Sequence, residues 1–242
     1  MSWKIKQLKD DVCLLFDEEQ AKKLSPSLDS IFENQDFSRF HYFEVQRLIE
    51  EHMKGKNSAR DYMRLVLTND KDTLNSEYEF KTGCRANIFA LLKNLHSITD
   101  FLAHVLYFSF GLDRLNTTKI DPKILNLYRV KKKIKEHLDT PNLLVLLDHL
   151  TENSDYKYLR DIVNHSKHRS NIMSQLKYDL QKHGKDIYKI SIFAFSIDGK
   201  SYNAREASDF LNSEYNRQSE LVIEIGNEIN KTVTNMLANH PQ

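Results

Sequence analysis

The chain has 242 residues, and its 35 basic against 34 acidic side chains leave a formal net charge of +1, so no global field draws it onto nucleic acid or anionic lipid. Hydrophobic residues at 40% and charged residues at 29% describe a globular chain, not a disordered one. Six glycines and four prolines favour long helices over a strand-and-turn architecture, while Cys13 and Cys84 are too few for a disulfide scaffold and lack metal-type spacing, which points to a reducing cytoplasm.

Residues 3–24 place Ile5, Leu8, Val12, Leu15 and Phe16 near the helical period, and Ser25-Pro26 then supplies a stop signal. The same stretch, MSWKIKQLKDDVCLLF, runs charges through what a secretion signal would need as an apolar core, so no such signal is expected. Helical patterns follow at 38–54 and 57–68, with Gly55 between them placed as a helix C-cap. The longest pattern runs over residues 75–111 and ends at Gly111. Its apolar positions spread nearly all round, which predicts a central helix. No run reaches the roughly 18 to 20 apolar residues that a membrane span requires. The most apolar stretch, residues 98–112, is interrupted by Thr99, Asp100 and His104.

A polar loop containing Pro122 leads to a basic helix at 124–138, and shorter helices are expected at 141–151 and 154–169. The pattern then changes. DIYKISIFAFSIDGKSY alternates near period two around Ile187, Lys189 and Ser191, and Asp198-Gly199 is a turn signal. A small β-hairpin or ribbon is expected there, paired with residues 172–180. A closing helix over 204–238 carries an apolar stripe from Phe210 to Met236. The reading is a mainly α single domain: N-terminal helices over 1–70, a core over 75–170, a β-hairpin or ribbon over 171–203 near the C-terminal third, and the closing helix.

Three groups of residues could carry chemistry. On the central helix His96, Asp100 and His104 follow at intervals of four, drifting by only about 40° per step, so they form one polar strip on an apolar rod. It reads as a structural polar network, as the wall of an active site, or as part of a metal site completed from elsewhere, although HExxH and paired ExxH motifs are absent. The second group is YLRDIVNHSKHRSNI, residues 158–172, with Arg160, Asp161, Asn164, His165, Lys167, His168 and Arg169. Arg160 and His165 stand about 140° apart on an ideal helix. Asp161 and His165 are neighbours at i, i+4, as are Asn164 and His168, so each acid or amide could orient an imidazole. The cations at the end of the segment also suit a helix C-terminus, where the macrodipole favours positive charge. The third group is the basic run of Arg129, Lys131, Lys132, Lys133 and Lys135, a solvated face or a set of phosphate contacts. Phosphate-loop, dinucleotide-binding and nucleophile-elbow signatures are absent.

Arg160-Asp161-Ile162-Val163-Asn164-His165 resembles the R-x4-6-H signature of the HEPN superfamily (higher eukaryotes and prokaryotes nucleotide-binding). LLKNLHSITDFLAHVLYF is similar to the long helix of its bacterial members, where a polar residue faces the motif. The resemblance covers residues 75–170 and implies a HEPN-like helical bundle around a long central helix. It further implies a metal-independent endoribonuclease acting on single-stranded RNA without a cofactor, a homodimer joining two motifs, and a toxin or phage-defence setting with an antitoxin as partner. Within it, Arg160, His165, Asn164 and Asp161 would be catalytic, and Lys167, His168, Arg169, His96, Asp100 and His104 would bind substrate. NHSKHRS also resembles a motif of HEPN-like proteins of unknown function, which implies the alternative of a non-catalytic nucleotide-binding or protein-interaction module.

Overall fold

The computed structural model describes residues 2–56, 58–179 and 188–239. These hold eight α-helices: α1 (Ile5–Leu15), α2 (Glu18–Met53), α3 (Ala59–Val66), α4 (Lys71–Ser109), α5 (Leu127–His137), α6 (Pro141–Thr151), α7 (Ser154–His168) and α8 (Ala207–Ala238). Five short strands, β1 (Ser174–Tyr178), β2 (Tyr188–Ile192), β3 (Phe195–Ile197), β4 (Lys200–Tyr202) and β5 (Arg205–Glu206), lie between α7 and α8. The mainly helical architecture with a small β insertion is therefore as expected. Among the described residues no helix is long and apolar enough to cross a membrane.

The chain forms two compact units. Unit 1 takes its described residues from Met1–Asp36, Leu95–Lys157 and Asn216–Gln242, and unit 2 from Phe37–Asn94 and Tyr158–Tyr215. The core of unit 1 gathers Leu8 and Val12 of α1, Leu24, Leu28 and Ile31 of α2, Val130 and Ile134 of α5, Leu143 and Leu147 of α6, and Ile225, Ile229 and Val233 of α8, all fully buried. The α4 segment in this unit buries Leu102, Ala103, Val105 and Leu106, adjacent positions that a one-faced helix would split between core and solvent.

At its end α4 closes in a Schellman motif. The Leu112 amide donates to the Tyr107 carbonyl (3.0 Å), the Gly111 amide donates to Phe108 (3.2 Å), and Gly111 takes a φ of +61° that a side chain would oppose. Gln20, fully buried on α2, donates from Nε2 to the Phe108 carbonyl (2.9 Å) and to Asp113 (2.7 Å), satisfying groups the helix end leaves open. Trp3 packs over Gly226 of α8, its indole Nε1 donating to Asn230 Oδ1 (2.9 Å) while Asn230 Nδ2 donates to the Lys4 carbonyl (2.9 Å).

One helix boundary departs from the sequence reading. Ser25-Pro26 does not stop a helix: the break falls at Phe16-Asp17, and α2 runs through Pro26 as one 36-residue helix that takes in the expected 38–54 segment. The proline removes one amide donor, but Leu24, Leu28 and Ile31 around it are fully buried, and that packing outweighs the local preference.

In unit 2 the strands make two antiparallel sheets, β1-β2-β5 and the β3-β4 hairpin. Ser174 pairs with Ile192 and Tyr178 with Tyr188 in the first, and Phe195 pairs with Tyr202 in the second, which turns at Asp198-Gly199 as expected. Ile187 and the preceding residues of the expected ribbon, and Leu180 of its expected partner segment, lie outside the described residues. The Tyr188 hydroxyl donates to the Lys56 carbonyl after α2, fixing β2 to that helix end.

Candidate functional site at the end of α7

The described part of α7 in unit 2 begins at Tyr158. Tyr158, Leu159, Ile162 and Val163 form its buried face, leaving Arg160, Asn164 and His165 half-buried and Lys167, His168 and Arg169 exposed. The aromatic support comes from the strands. Tyr158 meets Phe195 (5.4 Å between centroids), Tyr202 (5.4 Å) and Phe210 (4.8 Å) edge to face, and the Arg205 guanidinium sits 4.5 Å over its ring. Burial pushes the Tyr158 hydroxyl pKa up to about 12, with Arg205 opposing it, so the phenol stays neutral.

Asp161 is the hub of the cluster. Its buried carboxylate accepts from Arg160 Nε (2.9 Å), from the Tyr202 hydroxyl (2.5 Å) and from Lys200 Nζ (3.2 Å). Burial alone would raise its pKa, but the bonds from Arg160, Tyr202 and Lys200 together hold it below the usual carboxylate value. Tyr202 is pushed up to about 12 by burial and by that carboxylate. The i, i+4 pairing of Asp161 with His165 gives way to these three donors, because the β3-β4 hairpin delivers a hydroxyl and an ammonium to the carboxylate.

His165 is held instead from the chain that follows α7. The Arg169 and Ser170 amides both donate to the His165 carbonyl (2.9 and 3.1 Å), closing the helix, and His165 Nδ1 lies 2.7 Å from the Ser170 carbonyl oxygen. A carbonyl only accepts, so Nδ1 carries the proton, and in the neutral ring Nε2 presents a lone pair. The imidazole stands edge-on to Phe195 at 5.8 Å. Arg169 pairs with Asp198 of the β3-β4 turn (2.7 Å), which tempers its charge.

The other sequence candidates lie in unit 1. His96 and Asp100 form a loose pair at 3.9 Å, with Asp100 largely exposed. Burial holds the His104 imidazole pKa below its ordinary value, with Asp100 opposing. Beside the strip, Thr99 and Tyr156 share a buried hydroxyl bond of 2.9 Å. Among the described residues, no three or more His, Cys, Asp or Glu side chains are grouped so as to hold a metal ion. On α5, Lys131 pairs with Asp148, Lys132 lies 3.9 Å from Glu136, and Lys133 donates to the Thr117 carbonyl (2.9 Å) and meets Glu136 (3.5 Å), so three members of the basic run are engaged within the protein.

The sequence reading did not select Lys200, Tyr202 or Phe195. A signal was present: Lys200 and Tyr202 are two apart in a strand just after a turn, hence on one face. Their meeting with Asp161 depends on how the hairpin folds back. No family model, curated protein or solved structure matches this chain.

Proposed function

We propose that the C-terminal half of α7 is a HEPN-type, metal-independent endoribonuclease site that cleaves single-stranded RNA, acting in the cytoplasm as a homodimer. The observation that carries this reading is His165, whose Nδ1 is bound to the Ser170 carbonyl so that the neutral ring offers Nε2 as a base. His165 would take the proton of a ribose 2′-hydroxyl. The 2′-oxygen attacks the adjacent phosphorus, the bond to the 5′-oxygen breaks, that oxygen is protonated by water, and a 2′,3′-cyclic phosphate remains. Arg160, aligned by Asp161, would neutralise charge on the phosphoryl oxygens. Asn164 would position the phosphate, and Lys167, His168 and Arg169 would hold its neighbours. An antitoxin-like protein covering this surface fits the same reading.

The test is cleavage of a labelled single-stranded RNA in the presence of a chelator, with product ends identified. Wild type should leave 2′,3′-cyclic phosphates, and His165→Ala should lower the rate by about 10² to 10⁴-fold, the usual worth of a general base. Equal rates for the two proteins would remove His165 from catalysis. A wild type that binds RNA or a nucleotide but never cuts would support the second reading, a non-catalytic binding module. That reading draws on Arg160, whose Nε is committed to a buried carboxylate.

A further inference from the structure

A second site in unit 2 stands apart from the α7 motif and does not rest on the ribonuclease reading. The end of α2, α3 and the start of α4 line an open pocket of about 870 Å³. That is within the size range of small-molecule sites, typically about 300 to 1,000 Å³. Its lining carries three cations: Lys56 after α2, whose ammonium also donates to the His52 carbonyl, and Arg60 and Arg64 on α3.

The two arginines are the informative pair. They stand at i, i+4 on an eight-residue helix, where like charges repel. Both are exposed, and they make no ion pair among the described residues. A phosphate group between them would convert that repulsion into bidentate bonds, since a guanidinium fork matches phosphate oxygens.

The rest of the lining narrows the ligand. Asp61 and Asp72 share the cavity, so three cations face two carboxylates and the lining suits a single phosphate better than a polyphosphate. Asp61 is committed to Ser58 through the capping box of α3, while Asp72 faces the cavity as an acceptor for ligand hydroxyls. Leu65 and Leu67 supply apolar surface for an organic portion.

His52 completes the arrangement. Its ring is stacked on Phe80 (centroids 4.0 Å apart, planes within 5°) and its Nε2 lies 2.5 Å from Glu77 Oε1. The carboxylate only accepts, so Nε2 carries the proton, and Nδ1 of the neutral ring is an acceptor on a side chain that lines the cavity. Glu77 is in turn held by Lys81 at 3.0 Å. An imidazole fixed from behind by a ring and a charged pair is prepared before any ligand arrives.

We propose that this cavity binds a small organic phosphate monoester, with Arg60, Arg64 and Lys56 on the phosphate and His52 and Asp72 on its hydroxyl groups. The test is calorimetric titration of the full chain with adenosine 5′-monophosphate, glucose 6-phosphate, inorganic phosphate and citrate. At least one of the two phosphate esters should bind more tightly than inorganic phosphate and citrate. Arg60→Ala with Arg64→Ala should weaken that binding about tenfold or more, the worth of one or two charge-assisted hydrogen bonds. Both arginines are exposed, so the double variant should show the wild-type circular dichroism spectrum and melting point. His165→Ala should bind as wild type does. Absence of binding by either ester at millimolar concentration, equal binding by the double variant, tighter binding of citrate, or loss in His165→Ala would each overturn the proposal.

Discussion

A methyl group placed on Gly226 would lie 2.1 Å from Cδ2 of Trp3, inside the indole ring system. The ring cannot simply swing away, because its Nε1 is bonded to Asn230 one turn further along α8. In an exposed helix, exchanging glycine for alanine would gain about 1 kcal/mol of propensity. Here overpacking, about 1 to 3 kcal/mol, should win, and Gly226→Ala is expected to destabilise the protein by up to about 2 kcal/mol net. Urea denaturation reads this directly, and a variant as stable as wild type would show that Trp3 can be displaced at little cost. Gly111 has the same close approach, with a Cβ there lying 2.6 Å from the Phe16 ring, and a left-handed φ besides.

For the elements, Pro26 isolates local preference from packing. It is exposed and sits nine residues into α2, where it withholds an amide from the helix ladder. An interior proline costs a helix about 3 kcal/mol relative to alanine. The looser unfolded chain of the alanine variant returns about 1 kcal/mol of that. Pro26→Ala should therefore raise stability by about 1 to 2 kcal/mol, measured as a higher urea midpoint at unchanged slope. A lower midpoint would mean that the proline is shaping α2 in a way alanine cannot.

The same element shows what was legible in the chain. Helices with clear ends, such as α6 behind Pro141 and α4 ahead of Gly111, were readable because cap residues and apolar period agree. The hairpin was readable from alternation and Asp198-Gly199. The α1-α2 boundary was not, since a proline is a strong local signal and the buried leucines that override it act only in the folded chain. At the candidate site, Arg160 and His165 were visible as residue types on one helix. The partners of Asp161 and His165 were not, because Tyr202 and Lys200 lie some 40 residues downstream of Asp161 and Ser170 meets His165 only through its backbone.

Across the whole molecule, the half-buried His52 and His104 should govern the first response to acid. Burial holds His52 and His104 below the ordinary imidazole pKa, with Glu77 and Asp100 opposing, so the folded chain resists protons that the unfolded chain accepts. Stability should therefore begin to fall as pH drops below about 6.5. Asp161 is depressed for the opposite charge type, and its contribution is present above about 4 and lost as pH falls through its folded value. Urea midpoints measured from pH 8 to pH 3 should thus decline in two stages. Replacing His52 and His104 together by glutamine should remove the first stage and keep the second, and an unchanged profile would assign the first stage to other groups.

Trp3 is the single tryptophan of the chain, and it sits in unit 1. Its indole is shielded from water and clasped by Asn230, so its emission should shift to the red when this seam opens. The tyrosines around Arg205 in unit 2 give no such signal at excitation wavelengths selective for indole. One native fluorophore thus watches one half of the molecule, while far-ultraviolet dichroism sums both. Superimposed denaturation curves from the two probes would mean a single cooperative transition, and separated curves would resolve the halves without a label being introduced.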